Sequence, residues 1–192
     1  LWATPAFVID RQIVRVPDEL SAGDYRLQLE LLDGMGTTIF QTDLGPLAVS
    51  RTERLFEPPS IEQAVDASFG GEISLLGYNL SGANGAYRLE LVWQAETQPT
   101  ADYTVFVHVL NADGTCCLWQ ADAMPRGGTY PTMRWRAAEV VVDGYEIALP
   151  EGAEIGDYEI EVGLYLAETG QRLGVMVDGE ATEDAVRLVY LP

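Results

Sequence analysis

Residues 156–166 read GDYEIEVGLYL, and residues 23–32 read GDYRLQLELL. In the first stretch Tyr158, Ile160, Val162, Leu164 and Leu166 fall on one side of an extended chain, with Asp157, Glu159 and Glu161 on the other. Successive side chains of a strand point to opposite faces, so this period of two describes a strand with one buried and one solvated face. Tyr25, Leu27, Leu29 and Leu31 repeat the pattern, as do Tyr87, Leu89, Leu91 and Trp93 in YRLELVWQ. Further strands are expected over 70–80, 103–111, 116–122, 139–149, 171–177 and 184–191. Turn formers separate these runs: Gly82 to Gly85, NADG at 111–114, ETG at 168–170 and DGE at 178–180. No long segment carries apolar residues at helical spacing. Short antiparallel strands with one apolar face bury that face by stacking sheet on sheet, which predicts an all-β antiparallel sandwich, Ig-like or jelly-roll-like.

One strand departs from the pattern. In DYTVFVHVL, Val105, Val107 and Val109 lie on one side and Phe106 and Leu110 on the other. Both faces are apolar, so a central strand is expected, with the single histidine, His108, on the Phe106 side.

The two opening stretches belong to a longer repeat. At an offset of 133 residues Trp2 meets Trp135, Asp10 meets Asp143, Pro17 meets Pro150 and Gly23-Asp24-Tyr25 meets Gly156-Asp157-Tyr158, without a gap. Leu27, Leu29 and Leu31 then match Ile160, Val162 and Leu164. Repeats of this kind organise the whole fold. The strands expected over 61–123 precede the second copy, and nothing comparable precedes the first. The chain is therefore expected to hold the back half of one sandwich at 1–50, a linker at 51–60 (RTERLFEPPS), and a complete sandwich at 61–192. A half-sandwich buries too little surface to stand alone. Residues 1–50 are expected to pack on the complete domain or to self-associate through their apolar face.

Composition narrows the partners. The 192 residues are 47% hydrophobic and 21% charged, which is ordinary for a chain that folds. Thirty acidic side chains against 11 basic ones give a formal charge of −19, so nucleic acid and anionic lipid are repelled. No apolar run reaches the ~18 residues that a membrane span requires, and no basic-then-apolar leader is present. The chain begins with Leu1, which points to a piece of something longer, whose segments outside this chain would supply any membrane anchor.

The chemistry-bearing residues are few. Cys116 and Cys117 are the only cysteines; read as strand neighbours they point to opposite faces and stay free thiols. His108 is the only imidazole that a Ser-His-Asp set could use, and between Phe106 and Leu110 it reads as a buried, hydrogen-bonded residue. One histidine with an adjacent cysteine pair falls short of an ordinary zinc ligand set, so no metal and no cofactor are expected. GMGTTI at 34–39 lacks the third glycine of a dinucleotide loop and reads as a hairpin turn; NADG lacks the remaining ligands of a calcium loop and reads as a plain turn. With 30 acids, carboxylate pairs at glycosidase spacing arise by accident.

The order LELVWQAE, DYTVFVHVLNADG, GGTYPTMRWRAAEVVVDGYEIALPEG, GDYEIEVGLYLAETGQRLG resembles the extracytoplasmic β-sandwich domains that follow the membrane part of certain bacterial glycosyltransferases. These are relatives of the protein mannosyltransferases and aminoarabinose transferases. The resemblance covers about 70–175 and, in its second half, about 2–33, and rests on Tyr103 to Leu110, Tyr130 to Thr132, Trp135 and Gly156 to Tyr158. It implies a non-catalytic accessory module at the cell surface, with the catalytic machinery in a membrane portion outside this chain. A glycan or a protein is the partner class it allows. The long connection 124–135 is the candidate binding loop, with Trp119, Tyr130 and Trp135 as aromatic faces for a sugar or peptide. The competing reading makes Tyr130 and Trp135 plugs at the end of the sandwich, as Trp2 at the equivalent repeat position suggests.

Overall fold

The computed structural model describes residue 16 and residues 20–49, 53–177 and 179–188, and divides the chain into two compact units between Glu53 and Arg54. The repeat positions Trp2, Asp10 and Pro17 lie outside the described residues.

The first unit contributes an antiparallel hairpin of β1 (Gly23–Leu32) and β2 (Thr38–Val49). Its turn is built by Asp33, whose Oδ1 accepts the backbone N–H groups of Met35 and Thr37 at 2.8 and 2.9 Å. GMGTTI is thus the hairpin turn that its composition predicts. Opposed residues share a face, so Leu31 and Phe40 stand together with Leu29 and Thr42, and with Tyr25 and Leu47. The other face is mostly polar, with Arg26 paired to Asp43, and carries the exposed Leu32 at its turn end.

The second unit is a two-layer antiparallel sandwich. One sheet runs β12 (Glu180–Ala181), β11 (Val175–Val177), β3 (Gln63–Phe69), β4 (Ile73–Ala83), β5 (Ala86–Ala95), β8 (Val140–Ala148). The other runs β10 (Gln171–Arg172), β9 (Ile160–Leu166), β6 (Tyr103–Val109), β7 (Trp119–Ala123), with β13 (Val186–Leu188) also on β9. After the β3-β4-β5 meander the chain alternates between layers, so β8 returns beside β5 and β9 beside β6. Val105, Val107 and Val109 of β6 are buried between the layers with Trp93, Leu89 and Leu91 of β5, and with Ile160, Val162 and Leu164 of β9. Phe106 and Leu110 are buried as well, and β6 lies between β9 and β7, as a strand with two apolar faces should.

Four boundaries differ from the sequence reading, each for a local reason. The strand expected over 70–80 starts only at Ile73, because Gly70 and Gly71 both take positive φ (59° and 71°) and turn the chain out of a preceding strand, β3, that the sequence reading did not include. The strand expected over 116–122 starts at Trp119, since the Asn111–Leu118 segment is spent on a turn that Asp113 stabilises by accepting the Thr115 N–H and O–H. The run expected at 171–177 changes sheets: β10 pairs with β9, and past Gly174 β11 pairs with β3. Finally, only the beginning of 51–60 can be linker. Arg54 pairs with Glu139, and Leu55 bridges Val140, so 54–60 belong to the sandwich.

Candidate functional site

The connection between β7 and β8 carries two of the three aromatics expected to bind. Trp135 is 0% and Tyr130 5% exposed, both inside the core cluster. The Trp135 indole N–H donates to the Tyr130 carbonyl (3.2 Å), and the Tyr130 hydroxyl donates to Glu139 Oε1 (2.6 Å). Glu139 is itself buried, and also accepts the Arg136 N–H (2.9 Å) and pairs with Arg54. Burial, reinforced by the hydrogen bond to Glu139, pushes the Tyr130 hydroxyl up to about 12. The guanidinium of Arg126 stands 5.0 Å from the Tyr130 ring centroid, a cation–π contact. The remaining aromatic, Trp119, is half-buried on β7 and packs against the core. The three are not gathered into an open platform: Tyr130 and Trp135 fill space under the loop.

A second brace holds the loop from the side of β8. Asp143 is buried, accepting the Arg126 N–H (2.7 Å) and the Tyr145 hydroxyl (2.6 Å). Burial raises the Asp143 carboxyl above its ordinary value despite these two hydrogen bonds, and burial together with the Asp143 charge raises the Tyr145 hydroxyl far above its own. Buried carboxylates persist only when their oxygens are satisfied, and both of these acids are spent on holding the loop. Between this loop and the β9–β10 turn lies an open-sided hollow of about 420 Å³, lined by Thr100, Asp102, Met124, Met133, Leu166 and Glu168 among others; Asp102 there accepts the Met133 N–H.

The other concentration of chemistry is on the outer face of the β6 sheet. In register, His108 stands opposite Gln120 of β7 and Glu161 of β9, while Phe106 stands opposite Asp122 and Gly163. His108 Nε2 is 3.2 Å from Asp122 Oδ2, and Nδ1 is 3.9 Å from Cys116 Sγ and 4.0 Å from Glu161 Oε2. Arg172 lies over the Phe106 ring at 4.2 Å, bonded to Asp184 (3.0 Å) and 3.9 Å from Glu161. Burial, and then the neighbouring Asp122 carboxylate, raise the Tyr165 hydroxyl. These groups border a hollow of about 180 Å³ lined by Phe106, His108, Asp122, Tyr165, Gly170 and Arg172.

Two sequence expectations change here. His108 is hydrogen-bonded, but it sits on the outer face and not in the core. Cys116 and Cys117 are joined in a disulfide, with a cis peptide bond between them. The reading as opposed free thiols assumed a strand, and both residues precede β7 in a loop where alternation does not hold. A ring nitrogen of His108 and the two Sγ atoms lie within 4.8 Å of one another, so the structure gathers the one histidine and two cysteines that the sequence reading set aside as an incomplete metal set. Asp122, Glu161 and Arg172 were missed altogether. The signal for them is cross-strand register, which one strand's own sequence does not contain.

No protein-family model, curated protein or solved structure matches this chain.

Proposed function

We propose that the chain is a non-catalytic, extracytoplasmic accessory module of a membrane-anchored bacterial glycosyltransferase-like protein, and that it works by association through the apolar face of the β1–β2 hairpin. The parentage rests on the sequence resemblance. The observation that carries the mode of action is the exposure of that face: Leu29, Leu31 and Phe40 are 41%, 43% and 50% exposed, whereas Val162 and Leu164, which match Leu29 and Leu31 in the repeat, are fully buried between sheets. Apolar surface gathered on one side of a ribbon is an interaction surface in waiting. Its natural complement is another sheet face, and the complement supplied by this chain is the same hairpin on a second copy.

Sedimentation velocity of the full chain over a range of concentrations tests this. Reversible dimerisation is expected, and Leu31→Glu with Phe40→Glu should leave a monomer with an unchanged far-ultraviolet spectrum. A chain that stays monomeric throughout, or a double variant that still dimerises, would remove the hairpin from the reading. A glycan array on the same protein separates association from sugar binding: specific glycan retention lost on Trp119→Ala would favour the carbohydrate module instead.

A further inference from the structure

We propose that the reduced form of the Cys116–Cys117 pair, together with His108 and Glu161, binds one thiophilic divalent cation such as zinc, and that the disulfide form does not. Three donor atoms converge on the outer face of β6, from His108, Cys116 and Cys117, and the Glu161 carboxylate stands beside the histidine. Zinc bonds of about 2.3 Å to sulfur and 2.0–2.1 Å to nitrogen, set tetrahedrally, separate an S and an N ligand by roughly 3.6 Å. Cys116 Sγ and His108 Nδ1 are already 3.9 Å apart, and the Cys117 Sγ lies in the same 4.8 Å cluster. Glu161 Oε2, 4.0 Å from the same nitrogen and outside that cluster, is the carboxylate that a side-chain rotation would bring in to complete the set. Its competitor, Arg172, has the closer partner Asp184, so the carboxylate can turn to a metal without leaving the guanidinium unpaired.

The orientation of the histidine is the second observation. Histidine ligands commonly donate their other ring N–H to a carboxylate, which fixes the tautomer and turns the lone pair toward the metal. Asp122 occupies that position at 3.2 Å from Nε2, which leaves Nδ1 facing the sulfur atoms. Asp122 and Glu161 flank the histidine, and Arg172 beside Glu161 is itself paired with Asp184, so the local charge favours a bound cation. The loop that carries the cysteines is also fixed: the Leu118 N–H donates to the Val109 carbonyl at 2.7 Å, and the Asn111 N–H to the Thr115 carbonyl at 2.8 Å.

The chemistry balances in two steps. An external thiol or phosphine reductant delivers two electrons, and with two protons the S–S bond becomes two thiols; the reductant leaves oxidised. Binding of the cation then displaces both thiol protons to solvent and forms two metal–thiolate bonds. With the S–S bond intact neither sulfur can act as a thiolate ligand, which makes the site conditional on redox state.

The test uses the full chain, reduced with a phosphine and freed of reductant under anaerobic conditions, then titrated with cadmium while the sulfur-to-cadmium charge-transfer band is followed. Zinc competes against a chromophoric chelator in parallel. One equivalent is expected to bind the reduced chain and none the oxidised chain. His108→Ala should weaken binding at least ten-fold, with His108→Gln as the second variant should alanine unfold the sheet, and far-ultraviolet dichroism as the check. Asp122→Asn should weaken it by about 10- to 100-fold through the histidine. A reduced chain that yields no band overturns the proposal. So does undiminished affinity in both folded His108 variants, which would mean a bare dithiol, or equal binding by the oxidised chain, which would mean surface carboxylates.

Discussion

The hairpin β1–β2 and its repeat twin β9–β10 begin alike and end differently. Leu31 pairs with Phe40 in the first, and at the same 133-residue offset Leu173 donates to the Leu164 carbonyl in the second. This one contact recurs, but the pairs nearer the turn are out of step by one residue: Leu32 faces Thr38 in the first hairpin, whereas Leu166 faces Gln171 and Tyr165 faces Arg172 in the second. Beyond that point the twins part. In the first unit β2 stays on β1 for its full length, and Gln41 pairs with Glu30. In the second, Gly174 occupies the position of Gln41, the Gly70 N–H donates to its carbonyl, and the following residues leave for β3 in the opposite layer. Sheet switching at a corner needs an edge strand to receive it. Within the sandwich β3 provides that edge, so one sequence pattern gives a long ribbon in one place and a layer-crossing strand in the other.

Matched substitutions can break this comparison. The largest difference is expected at Leu164 and Leu31: Leu164→Ala opens a cavity between two sheets and should cost about 2–5 kcal/mol, while Leu31→Ala should stay within about 0.5 kcal/mol in dilute solution. Urea unfolding of both variants reads this directly, and equal losses would mean that the first hairpin is buried as its twin is. A smaller effect is expected at Gly163 and its repeat partner Glu30. A Cβ at Gly163 would overlap the Phe106 ring and press on the Asp184 carbonyl, so Gly163→Ala should cost about 1–3 kcal/mol by overpacking. Glu30 sits on the polar, solvated face, and Glu30→Ala should be nearly neutral. Thermal melts of the pair test whether the outer faces, and not only the inner ones, have diverged.

What the sequence disclosed follows the same division between local and distant. Alternation located β1 and β9, and the two-faced DYTVFVHVL run placed β6 in the middle of its sheet, but β2 went unread because TIFQTDLGPLAV loses its period of two at a register shift near Leu44. Strand β3 went unseen because QAVDASF carries Asp66 in mid-strand and has a register shift between Ala64 and Ala67, which spoils a clean period of two. The pinning of Arg54 to Glu139 spans 85 residues, and no window along the chain contains both. The aromatic loop was legible in its residue types, but whether Tyr130 and Trp135 face solvent depends on Glu139 and on the layer beneath. The His108 cluster is the extreme case. Its members come from β6, β7, β9 and a loop, and only the register of three strands brings them to one spot.

The smallest expected effect concerns the brace at Asp143, whose sequence twin is Asp10. Because burial raises the folded-state pKa of Asp143 above the ordinary aspartate value of 3.8, the native state holds its proton more tightly than the unfolded chain does. This group's contribution to stability is therefore fully present below about pH 3.8 and declines as pH rises through the elevated folded value. Acids whose folded values are lowered, such as Glu72 with its Thr100 and Tyr103 hydrogen bonds, act in the opposite sense, losing their contribution as pH falls. The native curve alone thus mixes the two, and the difference between native and Asp143→Asn isolates the first. Asparagine still accepts the Arg126 N–H, so the loop remains anchored while the titration is removed. Urea unfolding at intervals from pH 3 to pH 7 should show the native protein losing ground to Asp143→Asn as pH rises above 3.8. Asp10→Asn, measured beside it, sharpens the comparison of the two copies: no change in slope means that the brace belongs to the complete sandwich, whereas a matching change means that the first copy builds a brace of its own.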